Sequence, residues 1–275
     1  MIYKETLSAL NELALKKKTL LEKSKLAFLL SAMLAGGYVA IAVVLVYIIG
    51  DPIVQSFPAV TPLVMGLAFG VALLLVIYAG SDLFTGSVLY YTVSTLNKKT
   101  TIKDTVANWA WTYGGNFLGA LIIAYLIYLA GIFQGISENH YLFYMAEKKM
   151  TGDAMELFFK GIFCNWLVCL AIWTPMRLKN EMAKLFVVFV IIFAFFASGY
   201  EHSIANMGLF HLALLHNPGI ETISLAGYFA NMIPVTLGNI IGGSVFVGMV
   251  YHFISKKSEL EEHSQHLQGK EKEAA

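Results

Sequence analysis

From Leu26 to Gly50 the chain carries no charged side chain, and that run constrains the fold more than any other feature. About 20 apolar residues suffice for a helix to cross the hydrocarbon core of a bilayer. Similar apolar stretches recur at 60–96 (interrupted near residue 80), 105–131, 155–176, 185–215 (interrupted near residue 200) and 225–255. Six membrane spans are therefore expected. Composition agrees: 13% of residues are charged and the mean hydropathy is +0.66, where a soluble domain has about 25% charged residues. A net charge of +1 suggests no nucleic-acid partner.

Residues 1–25 are polar and lysine-rich, without the early apolar core of a signal peptide. Leu7, Leu10 and Ala14 share one helical stripe, so this segment reads as a cytoplasmic amphipathic helix along the membrane surface, with a solvated lead-in helix as the alternative. Residues 26–255 are expected to form one six-span membrane domain, with Asp51-Pro52 ending the first span and 133–154 forming the longest loop. Residues 256–275 read as a charged cytoplasmic tail. If the N-terminus is cytoplasmic, all of the 19 lysines and arginines except Lys148, Lys149 and Lys160 fall on the inner side. The positive-inside rule then places both termini in the cytoplasm.

Two polar islands break the apolar runs: Gly80-Ser81-Asp82-Leu83-Phe84-Thr85-Gly86, and Ser198-Gly199-Tyr200-Glu201-His202-Ser203-Ile204-Ala205-Asn206-Met207. Ionisable groups inside a membrane are costly and by default mark a site. The spans that follow carry a shared spacing, Asn108, Asn116, Gly119 and Asn231, Asn239, Gly242. Span, broken span, span thus occurs twice. A unit with an odd number of spans is inverted in its second copy, and paired broken helices in inverted repeats are a transporter and channel signature. Asp82 and Ser203 are candidate N-caps of the resumed half-helices. The helix N-termini created at the breaks suit an anion, which Glu201 and Asp82 would repel, so both are expected to fix the loops, with Ser203 and Asn206.

His202 sits deep in a span beside a break, where it could donate a proton or a hydrogen bond to a cargo. Cys164 and Cys169 share one apolar segment and read as small buried hydrophobes. No His-Glu-x-x-His pattern or nucleophile motif occurs, and a bis-histidine haem site would need histidines on facing spans. Neither an enzyme nor a metal or cofactor site is expected. An intramembrane enzyme using His202 with Ser203 or Glu201 is the distant alternative.

The stretches Ala79–Gly86, Cys164–Trp173, Ala197–Met207 and Val235–Asn239 resemble the formate/nitrite transporter family, closer to its nitrite branch. The resemblance covers about residues 20–255. It implies an all-α, aquaporin-like channel of six transmembrane helices in two inverted three-helix repeats, with the second and fifth helices broken. It further implies a homopentamer in a bacterial cytoplasmic membrane. Matched residue by residue, the family's central histidine is His202, its loop threonine Thr85, its asparagine Asn165 and its outer lysine Lys149, or the neighbouring Lys148. Its apolar constrictions fall on Phe69, Leu73 and Phe195 toward the cytoplasm and on Leu83, Phe84 and Val168 toward the outside. The implied cargo is a small monovalent weak-acid anion, nitrite foremost, with formate and hydrosulfide as alternatives. Lys149 would draw it in, and His202, held by Asn165, Thr85 and Glu201, would hydrogen-bond or protonate it.

Overall fold

The computed structural model describes residues 3–259; the charged tail beyond residue 259 lies outside the described residues. The described chain is helical, with α1 (Lys4–Lys23), α2 (Lys25–Ser56), α3 (Thr61–Phe69), α4 (Val71–Tyr78), α5 (Phe84–Leu96) and α6 (Ile102–Leu129) in its first half. The second half holds α7 (Tyr141–Met150), α8 (Ala154–Trp173), α9 (Glu181–Ala197), α10 (Ser203–His216) and α11 (Leu225–Gly243). After α11 a π-turn at Ser244–Met249 carries the last helix on to Glu259. Among the described residues, five stretches are long and apolar enough to cross a membrane, and α9 with α10 supplies the remaining apolar passage in two shorter pieces.

Side chains near the helix starts explain several boundaries. Ser24, Asn180 and Ser224 accept backbone N–H groups of α2, α9 and α11, and Thr101 with Asp104 forms a reciprocal capping box on α6. Such caps satisfy N–H groups that a helix start leaves unpaired. Both broken passages stop the same way. Gly80 (φ 77°) and Gly199 (φ 70°) adopt the left-handed conformation, and the next residue's N–H returns to a carbonyl five residues back, Ser81 to Val76 and Tyr200 to Phe195. This is the glycine-terminated helix end.

The two halves are built alike around matched asparagines. Asn116 on α6 donates from Nδ2 to the carbonyls of Ala32 (2.7 Å) and Asp82 (2.8 Å) and accepts the N–H of Phe84 at 2.9 Å. Asn239 on α11 donates to the carbonyls of Gly161 (2.8 Å) and Glu201 (2.9 Å) and accepts the N–H of Ser203 at 2.9 Å. Each amide thus ties the carbonyl and N–H freed by a break to the helix beside it. Non-helical backbone at membrane depth requires such partners. The helices carrying these amides pack closely, α6 on α2 and α11 on α8. A Cβ at Gly119 would sit 1.9 Å from the Met33 carbonyl oxygen, and one at Gly242 would sit 2.2 Å from that of Ile162.

Four expectations change. The apolar stripe of α1 does not lie on lipid: Leu7, Leu10 and Ala14 are buried, and the two leucines pack with Leu89 and Val93 of α5 and with Trp173. Asp51-Pro52 does not end the first span, because the proline falls within the last turns of α2, where it removes only one hydrogen bond. The 133–154 segment contains α7, whose start is anchored by the Tyr141 N–H donating to Asp51 Oδ1 at 2.8 Å. The second span bends at Gly70, and its break narrows to 79–83, so Thr85 lies in the first turn of α5.

Candidate transport pathway

Two cavities approach each other along the broken helices. One, of about 520 Å³, opens beneath α1 and is lined by Lys16, Lys17, Leu73, Leu83, Tyr90 and Lys184 among others. The other, of about 500 Å³, opens beside α7 and includes Tyr47, Lys148, Lys149, Lys160, Phe195 and Glu201. Between them lies a throat whose void is about 10 Å³, lined by Val39, Phe69, Ala72, Leu73, Leu83, Val168, Ile192, Phe195 and His202. About 10–15 Å³ of such space is needed to hold one water, so this throat is shut to anything larger than a single water.

His202 is the polar side chain of that throat. It is the N-cap of α10, and its Nδ1 accepts the backbone N–H of Ala205 at 3.1 Å. That bond defines the neutral tautomer, since a nitrogen accepting a hydrogen bond carries no proton. The ring hydrogen therefore sits on Nε2, which lies 3.1 Å from Thr85 Oγ1. The threonine is itself positioned by its backbone: its carbonyl accepts from Asn165 Nδ2 (3.3 Å) and from Cys169 Sγ (3.6 Å). Asn165 Nδ2 also donates to the Asn239 carbonyl at 2.7 Å. Asn165 thus holds Thr85 in place and does not line the throat.

The carboxylates are locked. Glu201 Oε1 accepts from Lys149 Nζ at 2.6 Å and Oε2 from Asn206 Nδ2 at 2.6 Å. Lys149 Nζ also reaches Asn206 Oδ1 at 3.2 Å, Asn206 Nδ2 reaches Asn231 Oδ1 at 2.9 Å, and Asn231 returns to the Lys149 carbonyl at 2.9 Å. The ring ties α7, α10 and α11 to the second break. The first break has a counterpart: Asp82 pairs with Lys17 of α1 and accepts the Ser31 hydroxyl at 2.7 Å. Lys149, and not Lys148, is therefore the lysine that meets the break. Lys17 was not singled out by sequence, yet a signal existed. Each repeat is led in by a helix outside the spans, and Lys16-Lys17 on α1 corresponds to Lys148-Lys149 on α7.

Several site residues sit differently from expectation. Neither Asp82 nor Ser203 caps a helix. Leu83 occupies the N-cap of α5 without a side-chain bond, His202 takes that place on α10, and Ser203 Oγ is buried without a partner among the described residues. Ser203 ties down the loop through its backbone N–H alone. Phe84 is absent from the throat lining and packs edge-on against Tyr113 (5.0 Å) and Trp109 (6.3 Å) of α6. The sides of Leu83 and Phe195 are exchanged: Leu83 borders the cavity beneath α1, and Phe195 the cavity beside α7. The cause is the length of the leading halves. α3–α4 runs from Pro62 at the α7 mouth to Tyr78 at the α1 mouth before it breaks, and α9 runs the opposite way from Glu181 to Ala197. Each break therefore falls toward the far mouth.

Broken apolar helices, paired cavities and a single polar side chain at the neck define a membrane channel or transporter with a closed apolar throat. The chain belongs to the formate/nitrite transporter family, whose family model matches residues 4–253. It is similar to the nitrite transporter NirC of Escherichia coli (strain K12), 41% identical over 233 residues, covering 85% of each chain. Among solved structures it is similar to an FNT family ion channel at TM-score 0.86 and 37% identity, covering 90% of this chain and 98% of that one. It is also similar to a pentameric formate channel with formate bound, at TM-score 0.73 and 29% identity, covering 85% and 98%.

Proposed function

We propose that the chain passes small monovalent weak-acid anions, nitrite first among them, between the α7 cavity and the α1 cavity past His202. The observation that carries this reading is the single polar group on an otherwise apolar throat, the His202 ring with its hydrogen on Nε2. Burying an ionised carboxylate-sized group without compensation is prohibitive, whereas a neutral acid crosses an apolar neck at far smaller cost. In the closed throat the Nε2 hydrogen is directed at Thr85 Oγ1, and an arriving anion takes over that hydrogen bond, with the freed threonine hydroxyl beside it as a second donor. Taking up a second proton would place it on Nδ1 and break the α10 cap. The ring therefore serves as a donor of a hydrogen bond, and the proton that makes the cargo neutral comes from vestibule water.

Thr85 shares the cargo contact, Asn165 positions Thr85, and Lys149, Glu201, Asp82, Asn206 and the Ser203 backbone hold the breaks. Phe195 closes the throat toward the α7 cavity, Leu73 and Leu83 toward the α1 cavity, and Phe69 and Val168 lie at the neck. Residues 26–255 make the channel, and five copies assemble in the cytoplasmic membrane of a bacterium with both termini inside. The pathway carries cargo through unchanged and performs no catalysis. Formate is the second cargo, favoured by the likeness to a channel with formate bound. Hydrosulfide is a third.

The test compares uptake of nitrite, formate and hydrosulfide in parallel in proteoliposomes, for the wild type and His202→Asn. Asparagine is a good N-cap, so the fold is retained while the Nε2 donor is lost. A hydrogen bond to a charged group contributes about 1.5–3 kcal/mol, which sets a fall of roughly 10- to 100-fold in uptake. The pH at half-maximal uptake stays where it is, because the ring is not the proton source. Undiminished nitrite uptake by the variant refutes the role of His202, and a moved midpoint refutes the hydrogen-bond-donor form of the mechanism.

A further inference from the structure

The two halves match at their breaks but differ one turn beyond them. In the second half, Asn206 lies three residues after Ser203, whose N–H donates to Asn239, and Asn206 Nδ2 donates to Asn231 Oδ1 at 2.9 Å. Asn231 stands eight residues before Asn239. The same positions in the first half are Ser87, three residues after Phe84, whose N–H donates to Asn116, and Asn108, eight residues before Asn116. A serine reaches less far than an asparagine. Ser87 Oγ and Asn108 Nδ2 are both buried, and neither has a hydrogen-bond partner among the described residues.

The unpaired atoms continue along the helix. Tyr91 Oη and Ser94 Oγ are also buried without a partner among the described residues. Ser87, Tyr91 and Ser94 are four and three residues apart, so they share one stripe of α5. That stripe faces α6: Trp109 Nε1 donates to the Ser87 carbonyl at 3.3 Å, and Thr95 Oγ1 lies 2.7 Å from Thr105 Oγ1. Asn108 falls between Thr105 and Trp109. Other buried hydroxyls turn back to their own helix, Thr112 to the Asn108 carbonyl at 2.7 Å and Ser244 to the Ile240 carbonyl at 2.6 Å, but these three do not. Native interiors rarely leave such groups unpaired.

Independently of the cargo, we propose that the α5–α6 seam is a water-binding site. An ordered water bridges Ser87 Oγ and Asn108 Nδ2, and the file continues past Tyr91 and Ser94 toward the 97–101 loop. Water is the ligand because the set is neutral: an amide N–H donor and three hydroxyls that donate or accept, with no charge to compensate an ion. A buried water makes about three hydrogen bonds, which such a set supplies. The site is separate from the transport pathway. Thr85 turns its hydroxyl to His202, and two further residues rotate a helix by about 200°, so Ser87 points to the opposite side. Water thus does in the first half what the Asn206–Asn231 bond does in the second.

The experiment is a crystal structure of the full-length protein at a resolution that shows ordered water, for the wild type and Ser87→Asn, with unfolding in detergent as the second reading. The wild type should show solvent density at about 2.7–3.2 Å from both Ser87 Oγ and Asn108 Nδ2. In Ser87→Asn the longer side chain should meet Asn108 directly and displace that density, with the ratio of folded to unfolded protein within roughly twofold of the wild type. Ser87→Ala, which loses one partner of the water, should lower that ratio roughly fivefold. Missing density in the wild type overturns the inference, as does a Ser87→Asn protein less stable than Ser87→Ala, because no gap would then exist. An anomalous signal at the site after exchange into bromide overturns water as the ligand.

Discussion

Removing Lys149 should damage this protein far more than removing its partner. The Glu201 carboxylate has 5% of its side chain exposed and Lys149 has 15%, with the ammonium at the edge of a water-accessible cavity. In Lys149→Gln the carboxylate stays buried with Asn206 as its remaining partner. Breaking a buried pair from the side that leaves an uncompensated charge costs about 3–5 kcal/mol. In Glu201→Gln the ammonium has a flexible stem and can swing into the vestibule, and the new amide can still bond Asn206. The expected cost there is that of one or two lost hydrogen bonds, about 1–3 kcal/mol. The double variant removes the stranded charge and should lie close to Glu201→Gln alone, so it falls short of the sum of the two single losses by the cost of Lys149→Gln, a coupling of about 3–5 kcal/mol. Unfolding in detergent, followed by tryptophan fluorescence with oligomer size as a second reading, measures the cycle. Equal losses in the two single variants with a simple sum in the double would refute the reasoning, because the pair would then be a solvent-screened contact and not a buried lock.

Two further outcomes follow from the fold. Asn116→Ala and Asn239→Ala each strip partners from two carbonyls and one N–H at a break, so each should lower unfolding free energy by about 2–5 kcal/mol, and by similar amounts because the two bond sets match. A large loss in only one of them would break the equivalence of the repeats. Asp104 Oδ2 accepts from the Lys18 ammonium at 2.8 Å and from the Thr101 N–H and hydroxyl at 2.8 and 2.9 Å, which ties α1 to the start of α6. Asp104→Asn should lower unfolding free energy by about 1–2 kcal/mol in the same denaturation assay, and an unchanged value would mean that this contact is fully screened by solvent.

What the sequence made legible, and what it hid, divides along a physical line. The spans, the breaks, the asparagine spacing and His202 were visible because each is a violation: a polar residue in a run that otherwise avoids water. The partners of those residues were not visible, because a side chain reaches across the bundle to atoms far away in the chain. Asp82 looked like a helix cap on its position alone, yet its partners, Lys17 and Ser31, lie on α1 and α2. Phe84 was matched to a constriction by the family resemblance, but a helical turn of about 100° per residue sends it to a different face from Thr85, and α6 supplies an aromatic surface for it.

The same rule explains the lysines. Sequence placed two adjacent cations at the end of α7 and left open which one meets the pathway. The fold answers that one meets the carboxylate and the other meets the water, and α1 repeats the answer. The inverted repeat therefore reaches beyond the membrane spans to the helices that lead into them. A break in a membrane helix needs a donor for its carbonyls, an acceptor for its N–H groups and a countercharge for its acid. All three are supplied twice here, with Asn116 and Lys17 at one end and Asn239 and Lys149 at the other. What breaks the symmetry is His202. The corresponding position ahead of α5 is Leu83, which offers the throat no donor, so the one hydrogen-bonding ring of the throat belongs to the second repeat.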